Sequence, residues 1–197
     1  MVTMNTRPTK FLTEEVAVAL QNLQLCRKLC ELLQEYDATG NRPAATLRFF
    51  GAGSTPEIQS TNSGFVATPV IFTAIIDIRK FTGFFGYSGS LMKKTKSQDD
   101  FDITDLGLPY PSLDDFFTAC FDPSFSQQEF EEALRYLLTY ANKMIAHFTT
   151  VAAASDVYIR FRKIDIVCMG ITNAMYRLVY DALGLKHPNL RFDERDA

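Results

Sequence analysis

Residues Ser126 to Phe148 read SQQEFEEALRYLLTYANKMIAHF. Within them Phe130, Leu134, Leu137, Ala141, Met144 and Phe148 recur at steps of four and three without a break. That spacing lines one face of an α-helix, and no strand can put those positions on one side. Ser126 and Glu129 head the run three apart, where hydroxyl and carboxylate can each satisfy the other's backbone N–H. A second run, Val157, Phe161, Ile164, Cys168, Ile171, Met175, Leu178 and Ala182, starts after Ser155 and keeps the same rhythm for roughly seven turns. Gly184 stops it and Pro188 prevents resumption. Gly170, inside this run, costs about 1 kcal/mol against alanine, and close approach of a neighbouring helix is a return for that cost.

The first half repeats the pattern. From about Thr13 to Tyr36, Val16, Ala19, Leu23, Cys26, Cys30 and Leu33 share a face, with Thr13 as the expected cap. Ala38-Thr39-Gly40-Asn41 ends that helix. Ala44 to Phe50 suits a short extended piece, and Gly51 to Gly64 reads as a loop. Its Gly51-Ala52-Gly53-Ser54-Thr55 lacks the lysine of a phosphate-binding loop. A second helix is expected from Thr68 to Phe84, with Pro69 in its first turn. Its apolar residues fall on nearly all sides, as a bundle centre requires. A strand is the competing reading, and length decides for helix. Gly86 to Pro111, with Lys93, Lys94 and Lys96 followed by Asp99, Asp100, Asp102 and Asp105, reads as a solvated loop. Ser112 then caps a short helix from Leu113 to about Phe121. The fold class is therefore all-α: a bundle of four long helices plus one or two short ones, with long irregular connections. One domain spans 1–197, with 1–10 and 186–197 loosely ordered.

Composition narrows the function classes. Of 197 residues, 47% are hydrophobic and 17 are Phe, with no Trp, implying a Phe-filled core or an apolar surface that seeks a partner. A net charge of -3 and a pI of about 5.4 do not fit a dedicated nucleic-acid binder. The opening MVTMNTRPTK has no apolar stretch of the secretory kind. Phe65 to Ile76 is too short, and too soon followed by Asp77, Arg79 and Lys80, to span a bilayer. A cytoplasmic protein without a membrane partner is expected. Cys26 and Cys30 lie in a core stripe, and Cys120 and Cys168 are isolated, so buried reduced thiols are expected, with no metal and no cofactor.

Several residues can carry chemistry. His147 borders the apolar seam of its helix, and Lys143 lies one turn earlier on nearly the same face. A histidine there can act as acid or base, and the lysine favours its neutral form. Asp77 and Arg79, with Lys80, are charges embedded in an apolar helix and demand partners or a site. Asp165 sits opposite its helix's main seam and reads as a solvated or interface acid. Tyr158, Tyr176, Tyr180 and Arg177 mark a face suited to packing or to an interface.

The segment Ala141 to His147, ANKMIAH, resembles the Arg-Asn-x-x-x-Ala-His type of motif found in HEPN-like helical domains, many of which cut RNA. The resemblance implies a helical dimer, here through the third and fourth long helices. It also implies a metal-independent RNase in which His147 acts on the ribose hydroxyl or leaving group. Asn142 and His147 match the motif, while Ala141 stands where the phosphate-binding arginine belongs. Lys143, Arg135 or Arg79 would have to replace that cation. Asp77 and Arg79 answer to the acid and base of the preceding apolar helix and would face the substrate. The alternatives are a non-enzymatic module that binds a protein partner and a small-ligand binder with an apolar pocket among the Phe-rich helices.

Overall fold

The computed structural model describes residues 8, 10–39, 45–48, 57–60, 63–88, 90–93, 96, 101–146 and 161–189. The fold is all-α, with one antiparallel pair of short strands among the described residues, β1 (Ala45–Arg48) and β2 (Glu57–Ser60), with Ala45 opposite Ser60 and Arg48 opposite Glu57. The extended piece expected near residue 45 thus has a partner inside the segment read as a loop.

Helix α1 (Ala17–Thr39) is entered through a π-helical stretch, Phe11–Val16. Thr13 does not cap it. The backbone is already helical at Lys10, and the Thr13 hydroxyl donates back to the Lys10 carbonyl at 3.4 Å. Of the expected stripe Val16, Leu23, Cys26, Cys30 and Leu33 are buried, while Ala19 is only partly so and Leu20 takes the buried place beside it. Helix α2 (Ser63–Phe84) starts at Ser63 rather than Thr68, so Pro69 lies inside it. The expected first-turn position is therefore not the one observed. Thr73 bonds the Pro69 carbonyl at 2.9 Å. The helix closes with crossed bonds from Tyr87 N–H to Thr82 O and Gly86 N–H to Gly83 O, both 3.0 Å, and Gly86 takes the left-handed φ of +86° that this ending needs.

Lys94, Asp99 and Asp100 of the charged stretch lie outside the described residues; from Lys96 and Phe101 onward its described part is more ordered than a solvated loop. Asp102 caps a 3₁₀ turn, Ile103–Leu106, and exchanges bonds with it in a capping box with Asp105. Lys96 reaches Asp105 at 2.9 Å, Thr104 at 3.1 Å and Asp102 at 3.2 Å, and Tyr110 donates to Asp102. Burial pushes the Asp102 carboxyl up, but bonds from Thr104, Tyr110 and Lys96 outweigh it and hold it below the usual range. The backbone N–H of Asp102 and the Lys96 ammonium do the same for Asp105.

Helix α3 (Leu113–Cys120) is capped by Ser112, whose hydroxyl accepts from Asp115 N–H at 3.1 Å. Helix α4 (Gln127–Ala146) has the expected Ser126–Glu129 box, with bonds of 2.8 and 3.2 Å. Helix α5 (Phe161–Met175) continues as a π-helical turn, Tyr176–Tyr180. It ends at Gly184, with Leu185 N–H on Tyr180 O at 2.8 Å. The expected start after Ser155, and Tyr158, fall outside the described residues.

Helix α5 is the hub and packs on α1, α2, α3 and α4. Gly170 is where α4 comes closest. A Cβ there would meet the Phe130 ring, with Cδ2 at 2.7 Å and Cε2 nearer still. Of the two readings of Asp165, solvated or interface, it is the interface acid, lying between α1 and α5. It is 5% exposed and bonds Arg27 of α1 at 3.0 Å, with Arg162 at 3.5 Å. Arg177 is spent inside the chain, donating to the carbonyls of Ala119 and Phe121 at 3.0 and 2.9 Å and so closing the end of α3. The Tyr180 hydroxyl bonds the Leu12 carbonyl at 2.9 Å, and burial pushes it up to about 12. Cys26, Cys30, Cys120 and Cys168 are all buried and free. Among the described residues no helix is long and apolar enough to cross a membrane.

Candidate functional site: a cleft between α1 and α2

The first two helices run antiparallel, so Phe11 meets Phe84 while Asn22 meets Asp77. Between these contacts lies a cleft of about 940 Å³. That is at the upper end of the usual size for small-molecule sites. Its α2 wall runs from Thr73 to Phe84, about 16 Å at helical rise.

Each end has its own chemistry. One end is aromatic: Phe11 stacks on Phe84 at 6.0 Å and touches Phe101 at 4.3 Å between ring centroids. Phe101 stands next to Asp102, so the Lys96–Asp102–Asp105 knot fixes that outer wall. The other end is polar. Asp77 is 5% exposed; one oxygen accepts from Asn22 at 3.1 Å and the other faces Lys80 at 3.6 Å. Arg79 also lines the cleft and makes no ion pair among the described residues. Val18 and Ile76 form apolar rims, 59% and 37% exposed, and Leu138 of α4 contributes to the lining.

Most hydroxyls in the wall are already used. Thr73 and Thr82 donate to carbonyls of their own helix at 2.9 and 2.8 Å, and Tyr87 donates to Pro111 O at 2.8 Å. All three hydroxyls donate to main-chain carbonyls, and among the described residues none donates to a side-chain base as an activated nucleophile would. Among the described residues no group of His, Cys, Asp and Glu is placed to hold a metal ion. Such an arrangement is suited to holding a molecule by shape, burial and a few polar contacts.

Gly83 is the least expected part of the wall. It keeps an ordinary helical φ, and a Cβ built on it meets nothing within 4 Å. Among the described residues no packing calls for a bare backbone there.

The sequence-derived candidates divide. Asp77 and Arg79 share the cleft, with Lys80 beside them. Asn142 is exposed on α4, one turn past Leu138. The backbone of Lys143 is helical, but its side chain and all of His147 lie outside the described residues. Ala141 is 1% exposed, so the motif's arginine position faces packed core. Arg135 is engaged on the surface of α4. It forks onto Glu131 at 2.8 and 2.9 Å and reaches Ser90 O at 3.2 Å. Asn22, Phe11, Phe101 and Gly83 were not found by sequence reasoning. An acid buried in an apolar helix announces that it needs a donor, but not that the donor is Asn22.

Compared with known protein families, with curated proteins and with solved structures, the chain matches none.

Proposed function

We propose that this protein binds a small, largely apolar molecule in the cleft between α1 and α2. The observation that carries the reading is the bare wall at Gly83, a helical glycine with open space where its side chain would be. Glycine in a helix costs up to about 1 kcal/mol against alanine. Gly170 recovers that cost through Phe130, whereas Gly83 has no counterpart among the described residues. The aromatic end supplies burial, and the fixed Asp77 with Arg79 supplies orientation.

The neutral dye Nile red tests this directly. Its fluorescence is expected to rise on mixing with the protein and to fail to rise with Gly83→Leu, whose side chain fills the cleft, a variant expected to fold because a Cβ at 83 meets nothing within 4 Å, its fold checked by circular dichroism. No rise with the unaltered protein, or an equal rise with Gly83→Leu, would overturn the reading.

The RNA-cleaving branch of the HEPN-like resemblance draws no support from Ala141, where an arginine would enter packed core. Incubation with labelled structured RNA is expected to leave it intact; cleavage abolished by His147→Ala would reinstate that branch. A homodimer would rest mainly on the outer face of α4, because α5 is enclosed by the other helices of its own chain. Light scattering reads that state.

A further inference from the structure

We infer that the molecule held in the cleft is an anionic amphiphile, a carboxylate-bearing hydrocarbon whose head group sits on Arg79; this rests on the cleft being the binding site. The charges lining the cleft are Glu15, Asp77, Arg79 and Lys80. They sum to zero, so net charge does not choose the ligand and the partnering of each group does. Asp77 has both oxygens occupied, one by Asn22 at 3.1 Å and one facing Lys80 at 3.6 Å. An amine would have to displace Lys80 to reach it. Glu15 is exposed on the first turn of the α1 side and keeps its water. An ion pair formed there is worth little. Arg79 differs from all three. It is only partly exposed, lines the cleft, and makes no ion pair among the described residues. A guanidinium offers five donors in a fork that matches a carboxylate.

The distance along the groove selects the rest of the molecule. Arg79 lies five residues from Phe84 on α2, about 7 Å at helical rise. A head group on Arg79 therefore leaves the Phe11–Phe84–Phe101 end for an apolar tail, with Val18 and the bare backbone of Gly83 along the way. A polar-headed, apolar-tailed molecule matches this order of contacts, and a uniformly polar anion does not.

Three probes with the same tail and different heads test the assignment: decanoate, decanol and decylamine, each titrated below its micelle concentration against Nile red in the cleft. Decanoate is expected to displace the dye about tenfold more tightly than decanol, the scale of one good charged contact. Raising the salt concentration is expected to narrow that gap. Arg79→Met, which keeps the apolar stem, is expected to remove the preference while Nile red still binds, and Arg79→Lys to restore much of it. Equal displacement by decanoate and decanol, or preference for decylamine, would overturn the anionic head while leaving the cleft as a binding site. Nile red that never binds, with no displacement by any probe, would overturn both.

Discussion

Two helical glycines face opposite surroundings. At Gly170 the Phe130 ring stands where a side chain would begin, and the α4–α5 contact is filled to the backbone. At Gly83 nothing stands within 4 Å, and the α1–α2 seam opens into a cleft of about 940 Å³. The same residue type thus records two different demands: one helix needs its neighbour close, and the other keeps room. A protein interior normally closes such room, because unfilled space forfeits dispersion contacts. On the proposed reading, the room kept open beside an aromatic cluster and a buried carboxylate is a binding wall, and the filled contact at Gly170 is a packing wall.

The filled side gives the largest expected effect. Gly170→Ala forces a methyl into Phe130 and is expected to destabilise the fold by about 3 kcal/mol, read as a lower urea midpoint. Phe130→Leu in the same chain is expected to recover part of that loss, so the two changes cost less together than their sum. A neutral Gly170→Ala would break the comparison, since it would mean that the α4–α5 contact yields as readily as the cleft. Next is the charged stitch between α1 and α5. Arg27→Met leaves the buried Asp165 with Arg162 alone at 3.5 Å and is expected to cost about 2 kcal/mol, measured in the same way.

These contacts show what the sequence carries. Helix α4 is readable because everything that makes it is local: the Ser126–Glu129 box and a stripe from Phe130 to Ala141. The space-saving role of Gly170 is readable for the same reason, as an oddity inside a clear period. Asp165 stays open between solvated and interface because its partner Arg27 is 138 residues away, and a position off the main stripe looks solvated until another helix covers it. Thr13 misleads because a capping residue is only an opportunity; the helix had already begun at Lys10. Lys96 and Asp102 look like loop charges because sign patterning cannot show that Thr104 and Tyr110 fold back onto them. Asp77 and Arg79 stand out as charges in an apolar helix, yet the cleft they line depends on the register between α1 and α2, which no local pattern encodes.

The cleft's outer wall responds to pH through the knot behind Phe101. The carboxyls of Asp102 and Asp105 lie below their ordinary value when folded, so they stabilise the wall above the unfolded carboxylate range. That contribution is lost as pH falls through the depressed folded values, that is, below about pH 4. Lys96 is raised, first by its bond to Asp105, so its contribution holds at neutral pH and fades only as pH rises above the ordinary lysine range. Protection of the amides of residues 101–106 against hydrogen exchange, taken relative to the unstructured-chain rate at each pH, is expected to hold at neutral pH and to fall below about pH 4, ahead of that of the α4–α5 amides. Asp102→Asn is expected to cost about 1.5 kcal/mol and to flatten that acid response. Protection that falls equally in both regions would merge the two walls into one cooperative unit.

The smallest effect has the opposite sign and divides the two glycines most cleanly. Gly83→Ala adds a methyl to open space on a helical backbone, with no clash to offset the gain in helix propensity. It is expected to stabilise the fold by about 0.5 kcal/mol, the lower end of the range because Gly83 lies in the last turn of α2. The same one-carbon change at Gly170 is expected to cost several times as much. If the chain is more stable with alanine at 83, glycine there is not serving the fold, and the room it leaves is available to a bound molecule. If alanine at 83 destabilises, the wall is already occupied by the protein itself, and the difference between the two seams disappears.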